Sequence, residues 1–416
     1  TAFSAGAPTG DEHDTRSTAA PESPQAGAVA PDDASGRKQL LMHYMPWYIT
    51  PDVRGKWGGH WNGWGKNDPD AMGDDGLPDI SSHYHPLIGL YDSSDPAVIE
   101  CHLLQMKLAG IDGVIVDWYG ISGANDYGPS HEATERVFDA AGRLGMTFAA
   151  CFEDRTVAEL VKQGRLDAAD VASHLTETFA WMQRHWFGAQ HHVRIQGRPL
   201  LLNFGPIEVM DKAVWDDALS SVSPRPMFFA LHHLWEGVGA DGGFAWVHAQ
   251  AWDDEADADA VRRRLLAVFE RTSPDPTRVI PSALPGFRDI YEKPFAVIDH
   301  RDGATMRETL GAAMASASPV VQLVTWNDYG EGTMIEPTHE FGYMFLEIIQ
   351  DARRTEAASL SGIDFPRDAD DLRLPARLLT LRRAGSLPDA QLDRVALLLA
   401  NGSTKSARRM IERLER

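Results

Sequence analysis

Short apolar runs alternate with amphipathic stretches between residues 38 and 350. The runs are apolar at almost every position, which is typical of parallel strands buried on both faces. We predict eight strands, at 40–47, 113–119, 146–153, 199–205, 226–232, 244–250, 278–284 and 320–327. Helices are predicted from Asp95-Pro96, an N-cap followed by proline, to Gly110, and near 131–144, 167–187, 258–271 and 303–316.

Strands interleaved with helices over this length predict an α/β fold, specifically a (β/α)8 TIM barrel. A doubly wound open sheet is the alternative architecture. That fold carries a glycine-rich phosphate-binding turn after its first strand, and no such turn follows residues 40–47. The pattern therefore favours the barrel.

Two terminal segments differ from the barrel region, which we place at 38–352. Residues 1–37 are rich in Ala, Pro, Gly, Ser and Asp without apolar periodicity, so we expect a disordered leader. Residues 366–416 contain short amphipathic stretches with Gly385 and Gly402 at cap positions, which predicts a helical extension. The chain begins at Thr1 rather than Met, as after signal-peptide removal, so we expect a secreted or periplasmic bacterial protein.

The formal charge of −21 excludes some partners. A field of this sign repels nucleic-acid phosphates, so no nucleic-acid partner is expected. No run of 18 apolar residues occurs, so no membrane span is expected. The only cysteines, Cys101 and Cys151, cannot form a disulfide scaffold and are interpreted as buried small apolar residues. The tail at 366–416 is basic and is expected to fold back onto the acidic barrel of a monomer.

Polar and aromatic side chains cluster where the predicted strands end, which is where barrel enzymes carry their chemistry. Aromatic faces stack on sugar rings, and carboxylates and amides bind vicinal hydroxyls, so this combination indicates a carbohydrate ligand. The candidate substrate-binding residues are Trp47, Tyr48, His60, Trp61, Asp117, Trp118, Glu153, Asn203, His232, Trp252, Trp326 and Asn327.

The loop after the first strand carries three tryptophans among glycines, in the sequence WGGHWNGWGK at 57–66. A packed core does not ordinarily place three indoles on a glycine-rich loop. We interpret Trp57, Trp61 and Trp64 as stacking platforms for sugar. The alternative is a hydrophobic plug that closes the barrel mouth.

A pair of carboxylates is the minimum equipment for glycoside hydrolysis. Asp328 and Glu331 lie three residues apart where the eighth strand runs into a glycine-rich turn. In a continuing strand they would lie roughly 10 Å apart on opposite faces. Gly330 and Gly332 allow a turn that brings both carboxyls into one pocket. We therefore predict Glu331 and Asp328 as the catalytic residues.

The segment TWNDYGEGTMIEPTHEFGYMFLE at 325–347 resembles the signature of glycoside hydrolase families 71 and 99 and of the related WbsX-type domains of polysaccharide biosynthesis. HYMPWY at 43–48, VIVDWYG at 114–120 and CFEDR at 151–155 are similar to the first three strands of those families. The resemblance covers roughly residues 40–350 and implies a (β/α)8 barrel that acts on glycans.

The resemblance also implies roles for the two carboxylates. In the mannose-cleaving members of family 99, a W-N-E-x-x-E pattern supplies an acid/base, here Glu331, and a base that assists attack by the substrate's own 2-hydroxyl, here Asp328. This implies a retaining, endo-acting α-mannosidase-like enzyme. The sequence departs from the pattern in having Asp328 where the family has Glu, and Gly330 where it commonly has His.

Other functions remain open on the sequence alone. The WbsX resemblance allows a glycosyltransferase-like or accessory role in polysaccharide biosynthesis, and a non-catalytic glycan-binding barrel would keep the tryptophans without needing Glu331. His83-Tyr84-His85 and Asp68-Pro69-Asp70 lack the further ligands of a diagnostic metal site, so no metal or cofactor is predicted. Glu336 is interpreted either as lining the site or as a helix cap.

Overall fold

The computed structural model describes residues 36–247, 275–290, 297–360 and 362–416. Within these residues, eight parallel strands follow the predicted order, the seventh in two short pieces. They are β1 (Gln39–Tyr44), β2 (Gly113–Trp118), β3 (Thr147–Phe152), β4 (Arg198–Asn203), β5 (Met227–Leu231), β6 (Gly242–Phe244), β7 (Val279–Ile280 and Ser282–Ala283) and β8 (Val320–Leu323).

Each strand pairs with the next along the chain, and β8 pairs with β1, so the sheet closes on itself. The break in β7 falls at Pro281, which has no N–H to donate to a neighbouring strand. The first piece pairs with β6 and the second with β8. The predicted (β/α)8 barrel is thus confirmed.

Two short helices lie in the loop after β1, and longer helices surround the barrel. They are α1 (Pro51–Arg54), α2 (Gly59–Asn62), α3 (Pro96–Ala109), α4 (Tyr127–Arg143), α5 (Arg155–Lys162), α6 (Val171–Met182), α7 (Lys212–Ser220), α8 (Ala304–Ala315), α9 (Met344–Ser359), α10 (Leu374–Ala384), α11 (Asp389–Ala400) and α12 (Thr404–Leu414). The start of α3 is as predicted, because the Asp95 side chain accepts a hydrogen bond from the N–H of Ala97. Its end is set by Gly110, whose φ of 92° is in the left-handed region.

Some predicted bounds differ from the structure. The strands predicted at 40–47 and 320–327 end at Tyr44 and Leu323, because the chain turns into the loops that form the barrel mouth. The helix predicted at 167–187 is interrupted, with a 3-10 turn before α6 and a π-helical turn, Gln183–Phe187, after it. The predicted helix at 258–271, the end of the strand predicted at 244–250 and the candidate Trp252 lie outside the described residues.

Helices α10 and α11 pack against the side of the barrel at α3, and α12 packs on α10 and α11. Arg382 of α10 makes an ion pair with Glu100 of α3 at 2.7 Å and with Asp393 of α11 at 2.8 Å. The first of these ion pairs ties the C-terminal segment to the barrel. Among the described helices, none is both long and apolar enough to cross a membrane.

Candidate active site

A cavity of about 220 Å³ opens among the carboxyl ends of the barrel strands. This volume is below the roughly 300–1,000 Å³ typical of sites for drug-sized ligands, so the described part of the cavity can enclose about one sugar ring. Six of the candidate residues line it: Trp47, His60, Asp117, Glu153, Asp328 and Glu331. Larger cavities of about 560 and 530 Å³ lie on the outside of the barrel, and their lining contains none of the candidate residues described.

Six further residues line the same cavity without having been candidates: His43, Met45, Tyr119, Arg155, Phe204 and Trp246. Three of them could have been found from the two-residue period of extended chain, in which alternate side chains face the same way. Trp47 is a candidate, and Met45 and His43 precede it at intervals of two. Tyr119 follows Asp117 at the same interval, whereas Arg155 is the first residue of α5 and reaches the cavity from the helix start.

The turn after β8 brings the two predicted catalytic carboxyls into this cavity. Asp328 Oδ1 accepts a hydrogen bond from the N–H of Glu331 at 2.9 Å. The N–H of Asp328 donates to Thr325 Oγ1 at 2.8 Å, and the hydroxyls of Thr325 and Thr333 lie 3.0 Å apart. The turn is therefore held by side-chain hydrogen bonds at both ends, and its bend places Asp328 and Glu331 in one pocket.

The surroundings favour protonated carboxyls. Burial raises the pKa of Asp328 to about 6, although the hydrogen bond from the Glu331 N–H opposes the rise. Burial and the negative charge of Asp328 raise the pKa of Glu331 well above its usual range. Among the residues that the structure describes, the Oε2 atom of Glu331 is buried without a hydrogen-bond partner. At neutral pH the arrangement therefore holds a proton on Glu331 beside a largely ionised Asp328.

A second pair of carboxyls comes from β2 and β3. Burial raises the pKa of Asp117 to about 7, and burial together with the charge of Asp117 raises the pKa of Glu153 well above its usual range. Arg155 Nε lies 2.9 Å from Glu153 Oε2 and supplies a positive charge at the rim. The neighbouring Asp154 instead accepts hydrogen bonds from the N–H groups of residues 207–209 and so anchors the loop after β4.

The tryptophan loop contains one core residue and one exposed residue. Trp61 is fully buried, packs on Tyr48 with ring centroids 4.1 Å apart and donates from Nε1 to the carbonyl of Tyr91 at 2.9 Å. Trp64 is 64% exposed. His60 lies beside it and stacks on Trp47 at 4.2 Å between ring centroids. Because Trp61 is buried, it belongs to the hydrophobic plug. Trp47 lines the cavity and Trp64 is exposed, so both can stack on a sugar ring.

Several other candidates are buried away from the cavity. Tyr48 donates its hydroxyl to the carbonyl of Asn327 at 2.7 Å, and the Asn327 side chain bonds both backbone groups of Met45. These residues fix the turn after β8 rather than line the cavity. Trp118, Asn203 and Trp326 are also fully buried and His232 is partly exposed, and none of the four is in the described lining of the cavity. Trp118 follows the inward-facing Asp117, so strand alternation turns it outward onto Trp186.

A buried network of hydrogen bonds around Glu336 holds Tyr329, which lies in the turn after β8. Glu336 is 1% exposed and accepts hydrogen bonds from Tyr91 Oη at 2.8 Å and Tyr329 Oη at 2.9 Å. Its other oxygen lies 3.0 Å from Nε2 of His102. Both sequence interpretations of Glu336 are wrong, because the residue neither lines the described cavity nor caps a helix. Its hydrogen bonds connect Tyr329 to His102 on α3.

Comparison with known proteins supports the resemblance. The family model for glycosyl hydrolase family 99 matches residues 37–163. A glycoprotein endo-alpha-1,2-mannosidase of Rattus norvegicus is 24% identical over 338 residues, which are 70% of this chain and 66% of that protein. An endo-alpha-1,2-mannosidase-like protein of Danio rerio is 24% identical over 278 residues, 62% of this chain and 60% of that protein. The chain spans a little under two thirds of the length of these relatives.

Solved structures show the same architecture. A GH99 endo-alpha-mannosidase from Bacteroides thetaiotaomicron superposes with a TM-score of 0.55 at 19% identity, covering 77% of this chain and 98% of that one. A protein described as glycoside hydrolase-like gives a TM-score of 0.56 at 13% identity, with 76% and 93% covered. These superpositions confirm the (β/α)8 barrel fold, and the family model and curated relatives show that the chain is similar to glycosyl hydrolase family 99.

Proposed function

We propose that this protein is a retaining glycoside hydrolase that acts within α-mannose-containing glycans, as an endo-α-mannosidase-like enzyme. The observation that carries the proposal is the turn after β8, which holds Asp328 and Glu331 in one cavity with the pKa of each carboxyl raised. The curated relatives named as endo-alpha-1,2-mannosidases support the substrate class.

In this proposal Glu331 is the acid and base of the reaction. Its proton goes to the glycosidic oxygen as the bond to the anomeric carbon breaks, so the leaving sugar departs as a neutral alcohol. The resulting Glu331 carboxylate then takes a proton from the water that attacks the anomeric carbon in the second step. The raised pKa of Glu331 keeps the required proton in place at neutral pH.

Asp328 acts on the opposite, attacking side. Following the family 99 pattern, its carboxylate accepts the proton of the sugar's 2-hydroxyl while that oxygen displaces the leaving group and forms an anhydro-sugar. A water molecule then attacks the anomeric carbon of this intermediate and opens it, while Asp328 returns its proton to the departing 2-oxygen and restores the 2-hydroxyl. Two displacements at the anomeric carbon retain its configuration. The shorter Asp328 side chain requires the sugar ring to sit closer to the turn than a glutamate would.

The experiment is hydrolysis of α-linked mannose oligosaccharides by the purified full chain, with the first product anomer followed by proton NMR. The proposal predicts release of an oligosaccharide whose new reducing end is initially α, and no release by Glu331→Gln. A β product contradicts the retaining mechanism. Tight glycan binding with no turnover by the wild type contradicts catalysis and supports the glycan-binding alternative.

A further inference from the structure

Three possible metal ligands meet at the inner face of the barrel. In the register of β2 and β3, Asp117 lies directly opposite Cys151. In the register of β1 and β2, His43 lies opposite Ile115, two residues before Asp117 and therefore on the same face. One donor atom from each of His43, Asp117 and Cys151 lies within 4.8 Å of the other two.

Among the described residues, the histidine of this group is not fully hydrogen-bonded. His43 is fully buried, and the Gln322 side chain can bond one of its ring nitrogens, so at least one nitrogen has no partner in the described part of the chain. The ring is held in place by an edge-on contact with Trp246 at 4.7 Å between centroids. Buried polar atoms are rarely left unpaired, because each forfeits the hydrogen bonds it made to water. An imidazole fixed in this way is prepared for a ligand in the cavity that it lines.

The group lies among carboxyls that can ionise when a cation binds. The described lining of the cavity includes four carboxyl residues, Asp117, Glu153, Asp328 and Glu331, and one guanidinium, Arg155. A partly buried excess of carboxyls lowers the energy of a divalent ion there more than it would at the protein surface.

We propose that His43, Asp117 and Cys151 form a three-ligand site for Zn²⁺ or a similar borderline-soft divalent ion, with the fourth position open to the cavity. Imidazole nitrogen, carboxylate oxygen and thiolate sulfur are the donors that Zn²⁺ takes, at about 2.0–2.3 Å. These bond lengths bring tetrahedral ligands to roughly 3.3–3.8 Å from one another, so the three side chains need small movements. Binding releases the thiol proton of Cys151 to solvent.

This assignment gives Cys151 a second role beyond that of a buried apolar residue. It also has a consequence that rests on the proposed function. The open position faces the space in which a sugar ring would lie, beside Glu153 and Asp328. The ion and the sugar therefore exclude each other, and Zn²⁺ is a reversible inhibitor rather than a participant in hydrolysis.

The test uses Co²⁺, whose absorption reports its ligands, added to the apo full-length chain after treatment with a chelator. We expect one equivalent of Co²⁺ to give visible bands of four-coordinate geometry and a near-ultraviolet thiolate-to-cobalt charge-transfer band, both abolished by Zn²⁺. Cys101, buried on α3, is the only other cysteine of the chain and provides the matched control. Cys101→Ser should keep the spectrum, and Cys151→Ser should lose the charge-transfer band and weaken Co²⁺ affinity by at least about tenfold.

The outcomes are decisive even if Cys151→Ser fails to fold. In Cys101→Ser the only remaining thiol is Cys151, so a charge-transfer band identifies it as a ligand and the absence of a band overturns the site. A band that persists in folded Cys151→Ser also overturns it. Loss of visible absorption in His43→Gln supports the third ligand, and an unchanged spectrum in that variant contradicts it.

The spectra require no turnover, so they separate this site from the proposed function. A bound ion in a chain that hydrolyses no glycan would uphold the site and contradict the hydrolase. In an active enzyme, saturating Zn²⁺ should lower turnover more than tenfold in both wild type and Cys101→Ser, and a chelator should restore it. Undiminished turnover with the site loaded contradicts the mutual exclusion.

Discussion

Replacing Trp61 or Trp64 by alanine should have opposite effects on stability and on glycan binding. Trp61 is fully buried and donates a hydrogen bond to the Tyr91 carbonyl, whereas Trp64, three residues further along the same loop, is 64% exposed. Trp61→Ala should lower the free energy of unfolding by about 3–5 kcal/mol, because it empties a packed site and leaves that carbonyl without its partner. Trp64→Ala should change stability by less than about 0.5 kcal/mol.

The binding effects should be reversed. Loss of a stacking face at Trp64 should weaken glycan binding by about 0.5–1.5 kcal/mol, roughly two- to tenfold in Kd. Urea unfolding followed by circular dichroism gives the stability of each variant, and calorimetric titration with an α-mannose oligosaccharide gives its binding. The reasoning is refuted if Trp64→Ala unfolds as easily as Trp61→Ala, or if Trp61→Ala keeps full stability and loses only binding.

Three further predictions concern the network, the charge of the cavity and the N-terminal segment. Glu336→Gln should lower kcat more than tenfold and shift the acidic limb of the pH profile, because the turn then loses the carboxylate that accepts from Tyr329; an unchanged pH profile at normal kcat contradicts this positioning role. Burial raises the pKa of Asp117 to about 7, so its folded form binds more protons than its unfolded form between about pH 4 and 7 and native stability falls as pH rises through that window. Asp117→Asn should therefore raise Tm at pH 8 relative to wild type more than it does at pH 4, and an equal difference at both pH values contradicts the shift. Deletion of residues 1–35 should change Tm by no more than about two degrees. A deletion that extends through Arg37 should lower Tm further, because it removes the 2.7 Å ion pair between Arg37 and Asp112. Equal Tm values for the two truncated chains would contradict a contribution of Arg37 to the folded barrel.

The barrel could be predicted because its strands are buried on both faces and carry a continuous apolar signal. The positions of Asp328 and Glu331 could be predicted because strand ends converge at one rim and glycines flank the turn. Whether an individual aromatic residue of the mouth loop is buried or exposed could not be predicted in the same way. Trp61 and Trp64 share one glycine-rich loop, and only tertiary packing decides that one enters the core.

The site residues that could not be identified from the sequence share one property: their positions depend on contacts that no local pattern reveals. His43 and Met45 reach the cavity because side chains alternate along extended chain, a relation visible only once it is known which residues of the strand face inward. Glu336 is followed by proline and looks like a loop residue, yet it collects hydrogen bonds from Tyr91 and Tyr329, which lie 245 and 7 residues away. Such long-range convergence has no local signal.

The most direct test of the central claim is the turnover of Glu331→Gln on two substrates. Glutamine keeps the shape of the side chain and removes its titrating proton, so turnover of a natural α-mannose oligosaccharide should fall by about 10²–10⁴ with binding largely retained. An activated aryl glycoside, whose leaving group needs little protonation, should lose much less in the glycosylation step, whereas Asp328→Asn should impair both substrates alike. Near-normal turnover of the natural glycan by Glu331→Gln would contradict the assignment of this residue as the acid of a glycoside hydrolase.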